Sequence, residues 1–308
     1  MASFNKILAV IDPAEENQKS LARAMEIAQK SGASVTAFLS IYDFSYDMTT
    51  MLSVEERETM RQAMVDDRID WLSEVLNSDS SEIPLEIKVV WHNRPYESII
   101  LETIEGGYDL IVKGTAKHDT LKSVIFTPTD WHLLRKAPVS VLLVKEHDWP
   151  ENGQILGCVN AGTEDADHQS LNNRIIDQCH EMASLLKSNV HIVNSFPGTP
   201  VNIAIEIPEF DPQSYNESVK TYHEQCVEKL ATEKQIAPEN CHVKEGLPED
   251  VIPVVAKDLD AELVIIGTVG RQGISAALIG NTAEHIIDML DCDVLALKPE
   301  NFVSPIQR

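Results

Sequence analysis

The chain contains one unit of about 150 residues twice, and this internal repeat limits the possible folds more than any other feature. Residues 108–115 read YDLIVKGT, and residues 261–268 read AELVIIGT, at an offset of 153. The same offset carries VSVLLVK at 139–145 onto CDVLALK at 292–298 without a gap. The chain is therefore two copies of one folding unit.

Within each copy, short apolar runs alternate with longer amphipathic segments, a pattern typical of βαβ units around a buried parallel sheet. We predict strands near residues 7–11, 35–41, 85–91, 109–113 and 139–144, and near 155–159, 190–195, 240–244, 262–266 and 293–298. The fold class is thus α/β, with two tandem doubly wound parallel five-stranded sheets. Because the segment between the copies is polar and contains Pro150 and Gly153, we place the domains at 1–147 and 154–308.

Two helix starts can be predicted from capping residues. Ser53 and Glu56 have the spacing of a capping box, and Asp211 precedes a proline that fits the first helical position. We expect the helix after Ser53 to bury one stripe of side chains, Met60, Met64, Trp71 and Val75.

Charge and composition exclude several classes of function. Lys and Arg number 25 and Asp and Glu 49, so a net charge of −24 repels nucleic-acid phosphates, and we expect no direct nucleic-acid binding. The five cysteines are scattered, and neither they nor the ten histidines show zinc-site spacing, so we predict no disulfide framework and no metal site. The sequence shows neither a signal-peptide core nor a membrane-spanning run, and we expect a cytoplasmic protein.

The candidate ligand site is a glycine turn in the second copy. Gly267, Gly270 and Gly280 follow an apolar strand with the spacing G-x2-G-x9-G, and Asn281 and Thr282 begin the next helix. Glycines let a ligand approach bare backbone, and the amides at a helix start attract anions. The spacing matches neither a Walker A loop nor the dinucleotide-binding turn. We therefore predict an anion site of another kind.

The electrostatics of this site leave two alternatives open. Arg271 or Lys298 could supply positive charge, and a triphosphate entering so acidic a chain would need a divalent cation as well. Alternatively, the glycines only shape loops, since Asn281 and Glu284 also have the spacing of a capping box.

These motifs resemble the universal stress protein family: a strand, the glycine turn, a helix and a last strand ending Val-x-x-x-Lys. Two such domains, with VIFTPTDWHLLRK at 124–136 and GTVGRQGISAALIGNTAEHIID at 267–288, resemble its tandem members. The resemblance implies strand order 3-2-1-4-5 and a role in survival under stress such as DNA damage. It also implies ATP, with Mg²⁺, as a possible ligand.

The same resemblance assigns phosphate and ribose contacts to Gly267, Gly270, Gly280, Asn281 and Thr282. The chain departs from the family pattern at two positions.

The family usually has Ser or Thr where this chain has Asn281, and it has a pocket aspartate where this chain has Asn160. Both substitutes can hydrogen-bond, although Asn160 lacks the charge that could hold a metal.

The first copy has lost most of the glycine turn. Gly114 persists, but Lys117, Thr127 and Pro128 replace the equivalents of Gly270, Gly280 and Asn281 at the offset of 153. Thr127 and Pro128 form an ordinary helix start, and Asp130 in the first turn would repel a phosphate. We predict a self-capped helix that binds no phosphate.

Asp12 ends the first strand of that copy, and we expect it to cap the following helix. It is the one candidate general base for ATP hydrolysis, and it lies in the copy without the turn. We therefore predict no enzyme activity beyond slow ATP hydrolysis.

Two further features concern other ligands and partners. The apolar side chains of residues 43–52 and 201–210 pack on their own sheets or form a pocket for an apolar or lipid-like molecule, which makes a carrier the alternative function. The apolar last strands, 139–144 and 294–298, form exposed edges in strand order 3-2-1-4-5. The family resemblance implies a dimer contact at this strand, so we expect the two copies to pair there about a pseudo-twofold axis, and a homodimer is a further option.

Overall fold

Each copy of the repeat forms five strands of a parallel sheet, covered on both faces by helices. The computed structural model describes residues 4–15, 17–47, 52–77, 83–117, 124–145, 147–199, 211–268 and 281–307. The first copy comprises β1 (Lys6–Val10), α1 (Lys19–Ser31), β2 (Ser34–Ile41), α2 (Phe44–Asp47), α3 (Val54–Asn77), β3 (Leu85–Trp91), α4 (Pro95–Gly106), β4 (Leu110–Gly114), the short hairpin β5 (Ala116–Lys117) and β6 (Val124–Ile125), α5 (Pro128–Lys136) and β7 (Ser140–Val144).

The second copy repeats this order. It comprises β8 (Gln154–Cys158), α6 (Ala166–Leu186), β9 (Asn189–Phe196), α7 (Pro212–Glu233), a 3₁₀ turn (Pro238–Asn240), β10 (Cys241–Glu245), α8 (Pro248–Asp258), β11 (Leu263–Gly267), α9 (Asn281–Met289) and β12 (Asp293–Leu297). Each predicted strand is present, with bounds that differ from the prediction by at most one residue. Buried parallel strands are continuous apolar runs, which explains why they can be located so closely.

The two copies share one ten-stranded sheet with the order β10-β9-β8-β11-β12-β7-β4-β1-β2-β3. Each half has the predicted order 3-2-1-4-5. The last strands, β7 and β12, pair antiparallel, and the equivalent residues Leu142 and Leu295 face each other. The predicted pairing of the two copies about a pseudo-twofold axis is therefore confirmed, and each copy covers the other's exposed edge.

Two apolar layers hold the helices on the sheet. On one face, α1, α3, α6 and α7 contribute side chains such as Ile27 and Ile175. On the other face, α4, α5, α8 and α9 contribute side chains such as Ile99 and Ile252. Burial of each such side chain contributes about 1.5–3 kcal/mol, so the layers are the main source of stability.

The predicted helix starts are confirmed, but the predicted stripe on α3 holds only in part, since Trp71 packs against the core and Met60 is exposed. Ser53 N donates to Glu56 Oε2 at 2.7 Å, and Asp211 accepts from the backbone amides of the first turn of α7. Met60 is 39% exposed, whereas Leu72 is fully buried and Ile69 packs beside it. The first turns of α3 are largely exposed, so only its later turns cover the sheet.

Candidate functional site

A cleft of about 500 Å³ lies at the carboxyl ends of the strands of the second copy, where the topology predicts a ligand site. Its walls come from the ends of β8, β9 and β11, from the turn after β10, and from α6, α7 and α9. Asn160, Gly267 and Thr282, three of the predicted site residues, all line it. The fold therefore brings together residues that are up to 122 positions apart in sequence.

The remaining predicted site residues lie wholly or partly outside the described residues. Gly270, Arg271 and Gly280 lie outside the described residues. Asn281 begins α9, but its side chain also lies outside them. The contact of all these residues with a phosphate stays a prediction.

Two buried asparagines hold the turn that presents Asn160. Asn172 Oδ1 accepts from Asn160 N at 2.9 Å, while Asn172 Nδ2 donates to Asn160 O at 2.8 Å. Asn194 Oδ1 accepts from Ala161 N at 2.8 Å. The Asn160 side chain is thereby left exposed at the cleft. Sequence analysis missed both supports, although Asn172 is a polar residue between the apolar Leu171 and Ile175.

Packing alone accounts for Gly267. A Cβ at this position would lie 2.3 Å from Leu171 Cδ2, far inside van der Waals contact. A side chain here would require the buried Leu171 side chain to move. This glycine therefore fits the alternative in which the glycines shape the fold, whether or not a ligand is bound.

The cleft wall is largely apolar. It includes the aliphatic side chains of Val159, Leu171, Ile175, Leu247, Ile252, Ile266 and Ile286. Among the described lining residues there is no carboxylate, lysine or arginine. The titratable side chains in the wall are His168, His223 and Cys158.

His223 is fixed at the polar side of this wall. Its ring stacks on Phe196 with centroids 5.4 Å apart, and Nδ1 lies 3.2 Å from Asn194 Nδ2. Because the amide nitrogen can only donate, Nδ1 accepts and the imidazole carries its proton on Nε2. Burial lowers the pKa of His223, so the ring is neutral at pH 7.

The predicted electrostatic role of Lys298 is wrong. The cleft wall does not include it: its side chain is buried and Nζ donates to Leu134 O at the end of α5 in the first copy. Burial lowers the pKa of Lys298 to about 7. The sequence shows only that a lysine follows an apolar strand. It gives no sign that the side chain of this lysine contacts the other copy.

Glu284, the acidic partner of the predicted capping box, also contacts the first copy. Glu284 Oε1 accepts from Arg135 Nε at 3.0 Å, in the last turn of α5. This ion pair joins α5 and α9. The carboxylate therefore links the two copies, and the Asn281 half of the predicted box lies outside the described side chains.

In the first copy, the chain's own carboxylate occupies the helix start, as predicted. Asp130 is fully buried and its Oδ2 accepts from Thr127 N at 2.6 Å, while Asp130 N donates to Thr127 Oγ1. Lys113 Nζ lies 2.7 Å from Asp130 Oδ1.

Sequence analysis missed Lys113. At the offset of 153, Lys113 and Asp130 correspond to Ile266 and Ala283, which line the cleft of the second copy. The ion pair therefore occupies part of this region in the first copy, where a smaller cavity of about 230 Å³ remains at the ends of the strands.

Asp12 does not cap a helix, contrary to the prediction. Its Oδ1 accepts from Ala14 N at 3.0 Å, and α1 begins only after Gln18. Asp12 thus stabilises a tight turn, because the loop is long enough to close on itself before α1.

The segment after β2 packs on its own sheet in its described part. Tyr42 and Tyr46 contact Trp91 edge-on, with ring centroids 5.8 and 5.5 Å apart. Residues 48–51 and 201–210 lie outside the described residues. A ligand pocket at these two segments stays a prediction.

Comparisons with known proteins agree with this fold. The model of the universal stress protein family matches residues 3–145 and 166–298. Universal stress protein E of Escherichia coli K12 is 48% identical over 312 aligned residues, which cover 100% of this chain and 98% of that protein. The homolog from Haemophilus influenzae is 40% identical and covers 96% of this chain and 98% of its own length.

Solved structures show the same architecture. A protein described as functionally unknown, from Pseudomonas aeruginosa PAO1, has a TM-score of 0.75 at 29% identity and covers 98% of this chain and 95% of its own. A universal stress protein from Archaeoglobus fulgidus shares the fold, with a TM-score of 0.61 at 14% identity, covering 96% of this chain and 97% of its own.

The fold thus defines a tandem α/β protein whose second copy has the larger of two cavities at the carboxyl ends of the strands. The chain belongs to the universal stress protein family. It is a tandem-type member that is similar to universal stress protein E over its whole length, and this relationship supports a role in the stress response. Within the described ranges, no helix is both long and apolar enough to cross a bilayer.

Proposed function

We propose that this protein is a cytoplasmic stress-response protein whose second copy senses an adenine nucleotide, bound as its Mg²⁺ complex. The observation that carries the proposal is the difference between the copies. In the first copy Lys113 and Asp130 form an ion pair beside a cavity of about 230 Å³, whereas Ile266 and Ala283 line a cleft of about 500 Å³ in the second. A site of about 500 Å³ has the size of a small-molecule pocket.

The side chains that line the second cleft are suited to binding a nucleotide rather than to hydrolysing it. The apolar side chains of the cleft wall would contact the base and ribose, and the amides at the start of α9 would face the phosphates. The described wall offers no carboxylate as a general base, so any ATP hydrolysis would be slow. Because the described wall also offers no lysine or arginine, Mg²⁺ and Arg271 would balance the phosphate charge.

A matched variant tests this proposal by thermal unfolding of the full chain with and without MgATP. At a ligand concentration of about 100 Kd, binding stabilises a protein by about 2.7 kcal/mol, which raises Tm by several degrees. The double variant I266K/A283D places the first copy's ion pair in the second cleft and should show no shift. An equal shift in both proteins would refute the proposed site.

The apolar wall supports a second candidate, a carrier of an apolar or lipid-like molecule. The seven aliphatic side chains of the wall could hold such a ligand without any phosphate contact. Native mass spectrometry of freshly purified protein separates the candidates: a co-purifying nonpolar mass supports the carrier, and a nucleotide mass supports the sensor.

A further inference from the structure

The two outer edges of the ten-stranded sheet belong to equivalent strands, and at both edges a helix packs against the core beside the strand. In the first copy, Ile69, Leu72 and Leu76 of α3 pack against the core beside β3. In the second copy, a groove of about 430 Å³ runs between α7 and β10. We call it the edge groove; its floor is formed by Val227, Ala231, Ile236 and Val243.

The backbone beside the groove has hydrogen-bonding groups on its outer side. Among the described strands, β10 pairs only with β9. Gly246 N donates to Phe196 O at 2.9 Å. Because the backbone N–H groups of successive strand residues point alternately to the two sides of the strand, the amides of Lys244 and His242 also point toward β9. The N–H and C=O groups of Val243 and Glu245 therefore point away from the sheet.

The charged side chains around the edge groove favour a partner with positive charge. Glu224 and Glu228 of α7 line its wall, and Glu245 is exposed at the end of the strand. Lys220 lies 3.6 Å from Glu224, and Lys244 lines the same groove, so the two glutamates are only partly neutralised. With a net charge of −24 on the whole chain, a cationic partner is favoured over an anionic one.

We propose that the edge groove binds an extended basic segment of a partner protein, which adds to β10 as an eleventh strand. Main-chain bonds to Val243 and Glu245 would supply affinity, as in other strand-addition complexes. Every second side chain of the segment enters the groove. A lysine or arginine there lays its aliphatic stem along Val227 and Ala231 and reaches Glu224 and Glu228 with its charge.

Fluorescence anisotropy of the full chain with a labelled decapeptide of alternating arginine and valine tests this proposal. Val243→Pro removes one outward amide, which an edge strand tolerates, and should weaken binding about tenfold. E224Q/E228Q should also weaken it and reduce its salt dependence. Ile87→Pro, at an outward amide of the opposite edge strand β3, is the matched control and should bind like the unmodified chain.

Two altered peptides keep the test valid if a variant folds poorly. The same peptide with alternate backbone nitrogens methylated should not bind the unmodified chain, because strand addition needs those amides. A peptide of alternating glutamate and valine should bind much more weakly. Equal affinity of V243P and the unmodified chain, equal binding of the methylated peptide, or no binding at millimolar basic peptide would overturn the proposal.

Discussion

Lys145 and Lys298 occupy equivalent positions after the last strand of each copy, and each one reaches across to the last helix of the other copy. Lys145 Nζ donates to Ile287 O at 3.0 Å and also to Leu290 O, at the end of α9. Lys298 Nζ donates to Leu134 O in α5. Cations interact favourably with the carbonyl groups at a helix end, so the copies exchange helix caps across their interface.

These two lysines predict that stability rises with pH above neutrality. Burial lowers the pKa of Lys145 to about 8 and of Lys298 to about 7, from 10.5. Between these values and 10.5 the unfolded chain binds more protons than the folded one, so the free energy of unfolding rises by up to about 1.4 kcal/mol per pH unit per lysine. Urea unfolding at pH 7, 8 and 9 measures this rise in the free energy of unfolding.

Lys298→Met serves as the comparison for this pH series, because it removes one of the two titrating groups and keeps the aliphatic stem. Its slope between pH 7 and 9 should be clearly smaller than that of the unmodified chain. Parallel slopes would mean that Lys298 titrates normally and is not held at the interface.

Arg23 and Asp293 form a second contact between the copies. Arg23 Nε lies 2.9 Å from the fully buried Asp293 Oδ2, and the guanidinium lies 3.9 Å from the Trp149 ring centroid. Arg23→Met should cost about 3–5 kcal/mol, because it leaves a buried carboxylate without its partner. Adding Asp293→Asn should recover much of that loss in urea unfolding; a strictly additive double variant would exclude the coupling.

Burial raises the pKa of Asp293 to about 6, despite Arg23. A raised carboxyl pKa means that its contribution to stability falls as pH increases from about 4 to 6. This range lies below that of the lysines. In the Arg23→Met variant the fall should extend above pH 6, because Arg23 is the main group that holds the Asp293 pKa down.

The ion pair of the first copy should behave as a structural replacement for a ligand. Asp130→Ala leaves Lys113 buried beside an empty helix start and should lower the free energy of unfolding by about 3–5 kcal/mol. The variant K113I/D130A restores the residue types of the second copy and should be more stable than D130A. If D130A were as stable as the unmodified chain, the proposed self-occupied site would be wrong.

The close approach of Gly267 to Leu171 predicts a packing defect that needs no ligand. Gly267→Ala should destabilise the protein by about 1–3 kcal/mol, as overpacked cores do. The matched variant G267A/L171A gives the new methyl group room and should lose less than the sum of the two single changes. Chemical denaturation without nucleotide measures both, and full additivity would contradict this explanation.

The strands and the two copies could be predicted because a buried parallel sheet and a repeat leave direct sequence signals, whereas the strand order and the pairing of the copies followed from the family resemblance. The side-chain contacts between the two copies could not be predicted. Lys298 follows an apolar strand in sequence, and only the antiparallel pairing of β7 and β12 directs it toward Leu134. Likewise, the sequence shows Lys113 only as a single charged residue in an apolar strand. Its partner Asp130 lies beside it only in the folded structure.

Periodicity also failed where a helix extends beyond its sheet. Met60 and Trp71 both belong to the predicted apolar stripe, but Met60 is 39% exposed whereas Trp71 packs against the core. The largest part of what could be predicted about the site is its position, since the cleft lies at the end of the sheet where the topology predicts a ligand. Its supports, Asn172 and Asn194, depend on hydrogen bonds between distant segments that no local pattern encodes.

We propose a single nucleotide site, in the larger cleft of the second copy, because in the first copy Asp130 caps the equivalent helix start and pairs with Lys113. Isothermal titration calorimetry of MgATP into the full chain measures this most directly. We expect one nucleotide per chain, no detectable binding to I266K/A283D, and unchanged binding to the control Lys298→Met. Binding that persists in I266K/A283D, or two nucleotides per chain, would contradict the account.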